Sequence, residues 1–475
     1  MINQLVIDND FKIFSDQQTL QISEAEQRIS SNHDIFRPIH YLGSKLRLVK
    51  HIKNIIDNLD PSNNFACDIF SGSGTVAKYL SYSRPVISAD IQEYSRVLCS
   101  ALLKPTVKSE LYYHFVEHNI NPNHYEKLCW ALEPLIEYET SCIDQAMSGN
   151  PLPLCELMEG GSILGYELGY NNTNASLINK YIIKTLKRFE KIKFGQQPAT
   201  LITRYFGGTY FSYKQAMQID VLLEAISNSP QEIRDILLAA LLSATSDAVN
   251  TVGKQFAQPL KPRKSNGAPK DNIGEMVSRD RYLDIYKLYN KWLNRYLETP
   301  KTDYAHEVIR MDYRDVLDSL NKKVKVVYAD PPYTRDHYSR YYHVLETICM
   351  RDTPNISKTT INGKVGVSRG MYRKDRHQSP FCIKSQVTLA FEALVENTQI
   401  HGASLVLSYS PYGKIGGSRP RLMTIDELML IARKYYSNVE LIPVANFSHS
   451  KLNCADKNYE ASQNAESFIV CNIKG

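Results

Sequence analysis

The stretch Phe65-Ala66-Cys67-Asp68-Ile69-Phe70-Ser71-Gly72-Ser73-Gly74-Thr75 decides how this chain is read. Its opening residues are a short apolar run of the kind that forms a buried strand, and Ser-Gly-Ser-Gly is a turn signal. A helical pattern follows, and Val86-Ile87-Ser88-Ala89-Asp90 then supplies a second short strand. Strand, glycine turn, helix and strand in this order begin a parallel α/β sheet. Just upstream, Leu46, Leu48, Val49, Ile52, Ile55, Ile56 and Leu59 recur at helical spacing. They predict a helix over 45–59 with Ser44 as its N-cap.

Downstream the rhythm changes. From residue 101 to about 300 the pattern is mainly helical, as in Gln215 to Ser227 and Gln231 to Val249. Strands resume at Glu307 to Met311 and Val324 to Ala329, and a polar, basic segment runs from Thr353 to Ser379. Ser404 to Ser408, a helix from Ile425 to Tyr436, Val439 to Val444 and Ser467 to Val470 complete the series. The expectation is one α/β sheet interrupted by a long helical insertion. Residues 1–33 form a polar extension, 34–100 and 301–475 the two halves of the sheet, and 101–300 the insertion.

At 475 residues the chain exceeds the usual size of one hydrophobic core, which agrees with a sheet plus a second body. Apolar residues make 43% and charged residues 22%, the composition of a soluble globular protein. No apolar run is long enough to cross a bilayer, and the N-terminus lacks a secretory pattern. A cytoplasmic protein without a membrane partner is expected. The nine cysteines are odd in number and form no C-x-x-C pair, which argues for reduced thiols over disulfides or a zinc knuckle. A net charge of +6 permits a polyanionic partner without demanding one. The 31 tyrosines against 2 tryptophans suit surfaces that stack on flat ligands, and equally suit half-buried positions.

The glycine turn invites a ligand, since Gly72 and Gly74 let backbone approach closely in dihedrals closed to other residues. The third glycine of a dinucleotide fingerprint is missing, and no Gly-Lys-Ser/Thr of a P-loop follows. Asp68 beside the turn would repel phosphate and attract a cation. Asp90, about twenty residues on, is placed to accept both hydroxyls of a ribose. Tyr41-Leu42-Gly43-Ser44-Lys45 puts an aromatic residue, a small-residue turn and a lysine at a helix start, a site for a carboxylate. Cation, ribose and carboxylate together describe an amino-acid–nucleoside such as S-adenosylmethionine.

The second motif is Tyr328-Ala329-Asp330-Pro331-Pro332-Tyr333, directly after a strand. Two prolines fix a stiff, extended turn, so its carbonyls stay available as acceptors. Asp330 adds a carboxylate and Tyr333 a ring. Two acceptors beside an aromatic face suit a planar exocyclic amine with its two N–H donors.

In this order, Tyr41 to Lys45, Phe70-x-Gly72-x-Gly74, Asp90 and Asp330-Pro331-Pro332-Tyr333 resemble the N6-adenine-specific DNA methyltransferases of the Dam-like, D12 class. Arg204 to Phe211, Asn250 to Lys261 and Glu466 to Val470 also look like stretches of that family. The resemblance implies a Rossmann-like S-adenosylmethionine-dependent methyltransferase sheet carrying a helical insertion that reads DNA. It implies cofactor contacts from Tyr41, Gly43, Ser44, Lys45, Asp68, Phe70, Gly72, Gly74 and Asp90, with Asp312 at the cofactor adenine. It implies catalysis by Asp330, Pro331, Pro332 and Tyr333 on a flipped-out adenine of duplex DNA. A modification enzyme paired with a restriction endonuclease is the implied setting.

Three segments mix basic and aromatic or loop-forming residues and are the expected DNA contacts: Arg335, Tyr338 and Arg340; Lys254, Lys261 and Arg263; Arg369, Arg373 and Lys374. His337 and His343 have no further ligands at metal spacing, so no metal is expected. The rival readings are methylation of RNA adenine or of a protein glutamine amide, and a DNA-binding protein with a decayed methylase core. The glutamine enzymes usually begin the motif with Asn where this chain has Asp330.

Overall fold

The computed structural model describes residues 36–170, 177–194, 198–320, 323–361, 364–410, 421–444 and 466–473. The expected 1–33 extension lies outside them. The chain divides into a sheet unit, residues 35–105, 300–339 and 376–475, and a helical unit that includes residues 106–299 and 340–375. Residues 340–375, grouped above with the second half of the sheet, therefore pack with the helices. The helix His343–Met350 buries Val344, Leu345 and Ile348, and Arg373 closes a bidentate pair with Asp352, both bonds 2.6 Å.

Among the described residues the sheet unit has seven strands: β1 (Phe65–Asp68), β2 (Val86–Asp90), β3 (Glu307–Arg310), β4 (Val324–Ala329), β5 (Ser404–Tyr409), β6 (Asn438–Pro443) and β7 (Ser467–Asn472). Their order across the sheet is β3-β2-β1-β4-β5-β7-β6. The first five pair in parallel, while β7 runs antiparallel to both β5 and β6. This is a mixed α/β architecture on a mostly parallel sheet.

Alternation along the strands gives the sheet two buried faces. Cys67, Ile69, Ile87, Ala89, Val327, Ala329, Leu405 and Leu407 share one core with α4 (Tyr313–Ser319), α5 (Val387–Ile400) and α6 (Ile425–Tyr435). The alternate positions, among them Asp68, Tyr328 and Ser408, belong to the opposite face. There α1 (Val49–Leu59), α2 (Thr75–Ser81) and α3 (Glu93–Leu103) pack in succession. The helix at α1 begins four residues later than its apolar spacing predicts, and Leu48, not Ser44, stands at its N-cap. Ser44 Oγ is instead buried without a hydrogen-bond partner, and residues 46–48 form a turn closed by Leu48 N–H on the Lys45 carbonyl (2.7 Å).

The order of strands fixes where a ligand can sit. From β1 the chain crosses to β2 on one side, while β4 pairs with β1 on the other, so the direction of winding reverses at β1. A crevice opens at such a switch point, beyond the C-terminal strand ends. The register Asp68↔Tyr328 brings the glycine turn after β1 beside the Asp-Pro-Pro-Tyr turn after β4.

In the helical unit, Pro122–Met147 is the longest helix, and Tyr213–Ser227 starts with a capping box of Ser212 and Gln215. Gln231–Ala248 is buried nearly all round and so forms its centre. The two singled-out stretches, 204–211 and 250–261, pack on each other here. Asn250 N–H donates to the Tyr210 carbonyl (2.9 Å), and the Tyr210 hydroxyl donates to the Phe256 carbonyl (2.7 Å). A fully buried Arg281 pairs with Glu139 and also donates to the Gly208 and Thr209 carbonyls (3.1 Å each). These motifs build the core of the unit.

Candidate active site

The glycine turn is pinned from below. Ser71 Oγ donates to the Asp68 carbonyl (2.8 Å), meets the Ser88 hydroxyl at 2.8 Å and accepts Ala89 N–H (3.1 Å). Gly72 and Gly74 take φ of +52° and +75°, which L side chains rarely adopt. A Cβ on Gly72 would lie 2.5 Å from the Tyr41 hydroxyl, and one on Gly43 would lie 3.0 Å from the Tyr338 hydroxyl. The turn and the Tyr41 segment are thus a cradle only glycine permits.

Beside this cradle lies a cleft within the sheet unit, with about 810 Å³ of space between its walls, its open mouth included. Its walls include Tyr41, Phe70, Asp90, Asp312, Asp330 and Pro332, drawn from widely separated parts of the sequence. Tyr338, expected at DNA, is one of its walls and stands 5.9 Å from Tyr41, ring to ring. The cleft also has walls the sequence did not announce: Ile91, Tyr94, Tyr313 and His377. Phe70, Tyr313 and Phe381 form an aromatic cluster, with ring centroids 5.1 to 5.6 Å apart.

Asp90 Oδ2 accepts Gly72 N–H (3.0 Å) and Oδ1 accepts Gln92 N–H (2.9 Å). Burial still holds its carboxyl above the usual range, with those bonds opposing. A carboxylate has about four acceptor sites, more than these two bonds fill, and Asp90 lines the cleft. Asp312 caps α4 by accepting Arg314 N–H (3.1 Å), so a cap and a cleft wall coincide in one residue. Asp68 is buried, and its Oδ1 has no hydrogen-bond partner. Burial, then the charges of Asp330 and Asp90, push its carboxyl up to about 8.

Lys45 is not a wall of the cleft. Its ammonium is buried 3.0 Å from Asp330 Oδ1 and 3.6 Å from Glu466 Oε2. Burial alone would lower its pKa, but the two carboxylates hold it well above the ordinary lysine value. Asp330 is pushed up to about 6 by burial, with Lys45 opposing and Glu466 adding. Tyr333 lies behind this trio, its ring 5.7 Å from the Lys45 ammonium and 4.6 Å from the Arg421 guanidinium above it. Glu466 and Arg421 were missed. Glu466 was legible only as the residue before a closing strand.

The expected DNA contacts separate into two groups. Arg335 in the sheet unit and Lys261 and Lys374 in the helical unit are exposed. Apart from Tyr338 on the cleft wall, the others are committed inside the helical unit. Lys254 pairs with Asp280 (3.0 Å) and donates to the Asp247 and Val249 carbonyls. Arg340 lies over the Tyr372 ring (4.7 Å), and Arg369 donates to the Met158 and Leu260 carbonyls. Arg263 reaches Glu159 (3.1 Å), and Arg373 pairs with Asp352. A structural cation and a phosphate contact look alike in a basic segment.

A family model described as D12 class N6 adenine-specific DNA methyltransferase matches residues 41–128 and 279–404. The chain is 25% identical over 400 residues to Modification methylase LlaI of Lactococcus lactis subsp. lactis, covering 84% of this chain and 49% of that protein. It is 24% identical over 383 residues to Type II methyltransferase M.FokI of Planomicrobium okeanokoites, covering 79% and 45%. It is 28% identical over 205 residues to Type II methyltransferase M.CviAII of Paramecium bursaria Chlorella virus 1, covering 42% and 51%. The chain thus spans about half the length of these curated relatives. Among the described residues, no helix is long and apolar enough to cross a membrane.

Proposed function

We propose that this chain, matched by the D12 class N6 adenine-specific DNA methyltransferase model over residues 41–128 and 279–404, transfers a methyl group from S-adenosylmethionine to the N6 amine of an adenine in duplex DNA. The observation that carries this reading is the convergence of Asp90, Phe70 and Asp330 on one cleft at the switch point of the sheet. We read the sheet as Rossmann-like and the helical unit as an insertion that reads the DNA sequence.

The residues present fit the cofactor. Asp90 offers a carboxylate to the ribose hydroxyls, and Phe70, Ile91 and Tyr313 offer an apolar slot for adenine with Asp312 at its edge. Asp68, not itself a wall of the cleft, keeps an orphaned Oδ1 that an ammonium would satisfy. The cradle of Tyr41, Gly43, Gly72 and Gly74 lines the path of the amino-acid part. When bound, S-adenosylmethionine supplies an electrophilic methyl carbon.

The amine of adenine is a poor nucleophile because its lone pair is delocalised into the ring. Asp330 Oδ2 and the Pro331 carbonyl accept its two N–H groups and localise that pair, while Lys45 holds Oδ1. The Pro331-Pro332 turn fixes both acceptors before the base arrives, so positioning and preorganised acceptors carry the rate. A flipped base gives up stacking in the duplex, and Tyr333 returns roughly 1–3 kcal/mol of it. The exposed Arg335, Lys261 and Lys374 grip phosphates. The setting is a cytoplasmic modification enzyme paired with a restriction endonuclease. Asp330 favours this substrate over a protein glutamine amide.

The test is labelled S-adenosylmethionine with unmethylated duplex DNA, RNA or protein, followed by nucleoside analysis. N6-methyladenine in DNA is expected, and Asp330→Ala should abolish it while cofactor binding persists. Normal turnover by that variant, or label in RNA or protein alone, would overturn the reading.

A further inference from the structure

Two carboxylates share one buried ammonium in the sheet unit, and only one of them faces the cleft. Glu466 is fully buried at the entrance to β7. Its Oε1 accepts the Ser408 hydroxyl (2.9 Å), and its Oε2 stands 3.6 Å from Lys45 Nζ. A Lys45–Asp330 pair alone would be neutral, with the ammonium drawing electron density from the acceptor. A second carboxylate on the far side of Lys45 leaves the trio with one net negative charge in a water-poor place. Glu466 also lies beyond the residues matched by the family model.

We propose that Glu466 is a positioning residue for Asp330, acting through Lys45: it anchors the ammonium that holds Oδ1 and keeps the trio anionic, so that Oδ2 can take the proton released from the methylated amine. The inference rests on the function proposed above. As the nitrogen lone pair forms the N–C bond, the methyl C–S bond breaks and its electron pair stays on sulfur. The nitrogen then carries a positive charge and one proton too many, and that proton passes to Asp330 Oδ2 and on to solvent. Glu466 touches neither the amine nor the proton. An anionic trio favours the charge that develops on nitrogen, and a neutral one does not.

The other groups facing Asp330 are Tyr328 from its own strand, Tyr333 with Arg421 over its ring, and Asp68 from β1. None of them bonds Lys45 or offers a second buried acid to it. The acid limb of the wild-type rate should therefore lie near the Asp330 value of about 6, with activity lost as pH falls through it.

The experiment compares wild type, Glu466→Gln and Glu466→Asp. Gln keeps the contact with Ser408 but removes the charge, so the pKa of Asp330 falls. Its acid limb should move down by roughly one pH unit, and its plateau rate should drop at least about tenfold. Cofactor binding by calorimetry should be unchanged, and Asp should return the limb toward wild type. A plateau loss without a limb shift, or no change at all, would overturn the inference. The Asp330 titration is also read without turnover, from pH-difference infrared spectra with its band assigned by Asp330→Asn. Equal Asp330 midpoints in wild type and Glu466→Gln refute the role of Glu466. A wild type that makes no N6-methyladenine refutes the proposed function instead.

Discussion

Replacing Gly72 by alanine perturbs the cradle with a single methyl group. Two separable effects follow from the structure. Holding an L residue at the Gly72 φ of +52° costs about 1–2 kcal/mol. The new Cβ would also lie 2.5 Å from the Tyr41 hydroxyl and 2.6 Å from its Cζ, so the ring must leave the cleft wall. The backbone effect alone lets the turn relax in the free protein, which withdraws Gly72 N–H from Asp90. If the bound state needs the present turn, S-adenosylmethionine binds about 5–30-fold more weakly from that term. The clash adds to it. Titration calorimetry on wild type, Gly72→Ala, Tyr41→Ala and the double variant separates the two. Adding Gly72→Ala to Tyr41→Ala should cost only the backbone part, because the ring is gone. Cofactor binding by Gly72→Ala within about twofold of wild type would refute the cradle.

Two further outcomes follow from the helical unit. Glu139→Ala leaves Arg281 buried without its ion pair, which should destabilise this unit by about 3–5 kcal/mol. Both tryptophans, Trp130 and Trp292, belong to it, so urea unfolding followed by tryptophan emission reads it selectively, and a loss below about 1 kcal/mol would contradict the pair's role. Lys261→Ala and Lys374→Ala should each weaken DNA binding at all sequences and lower the salt slope by about 1. An unchanged slope would remove them from the DNA surface.

Most of the sheet was legible because its strands are short apolar runs ended by turn residues, and the two catalytic-type motifs sit where those runs stop. Less could be read where tertiary contacts override local pattern. Apolar spacing from Leu46 predicts helix, yet the chain turns at 46–48 and carries Lys45 into the interior. No local signal reveals an ion pair between residues as distant as Lys45 and Glu466. Nor does a local signal reveal the packing partners of basic residues: the carboxylates and carbonyls that Asp280 offers to Lys254, Met158 and Leu260 to Arg369 and Asp352 to Arg373 come from distant parts of the chain. The tyrosine excess resolves mainly into packing. Tyr94, Tyr112, Tyr210, Tyr213, Tyr289, Tyr296, Tyr328, Tyr342 and Tyr409 are fully buried, and several direct a hydroxyl to a backbone carbonyl.

The position of β7 has a kinetic consequence. It is the last strand along the chain, but it lies between β5 and β6 and supplies both of its edges to them. Until residues 467–472 leave the ribosome, β5 has an open edge and β6 has no partner in the sheet, and open edges recruit other chains. The same event delivers Glu466 to Lys45, which was synthesised more than 400 residues earlier. Completion of the sheet and assembly of the acidic trio are therefore one step, and a nascent chain cannot hold its charged centre in final form before β5 and β6 are joined through β7.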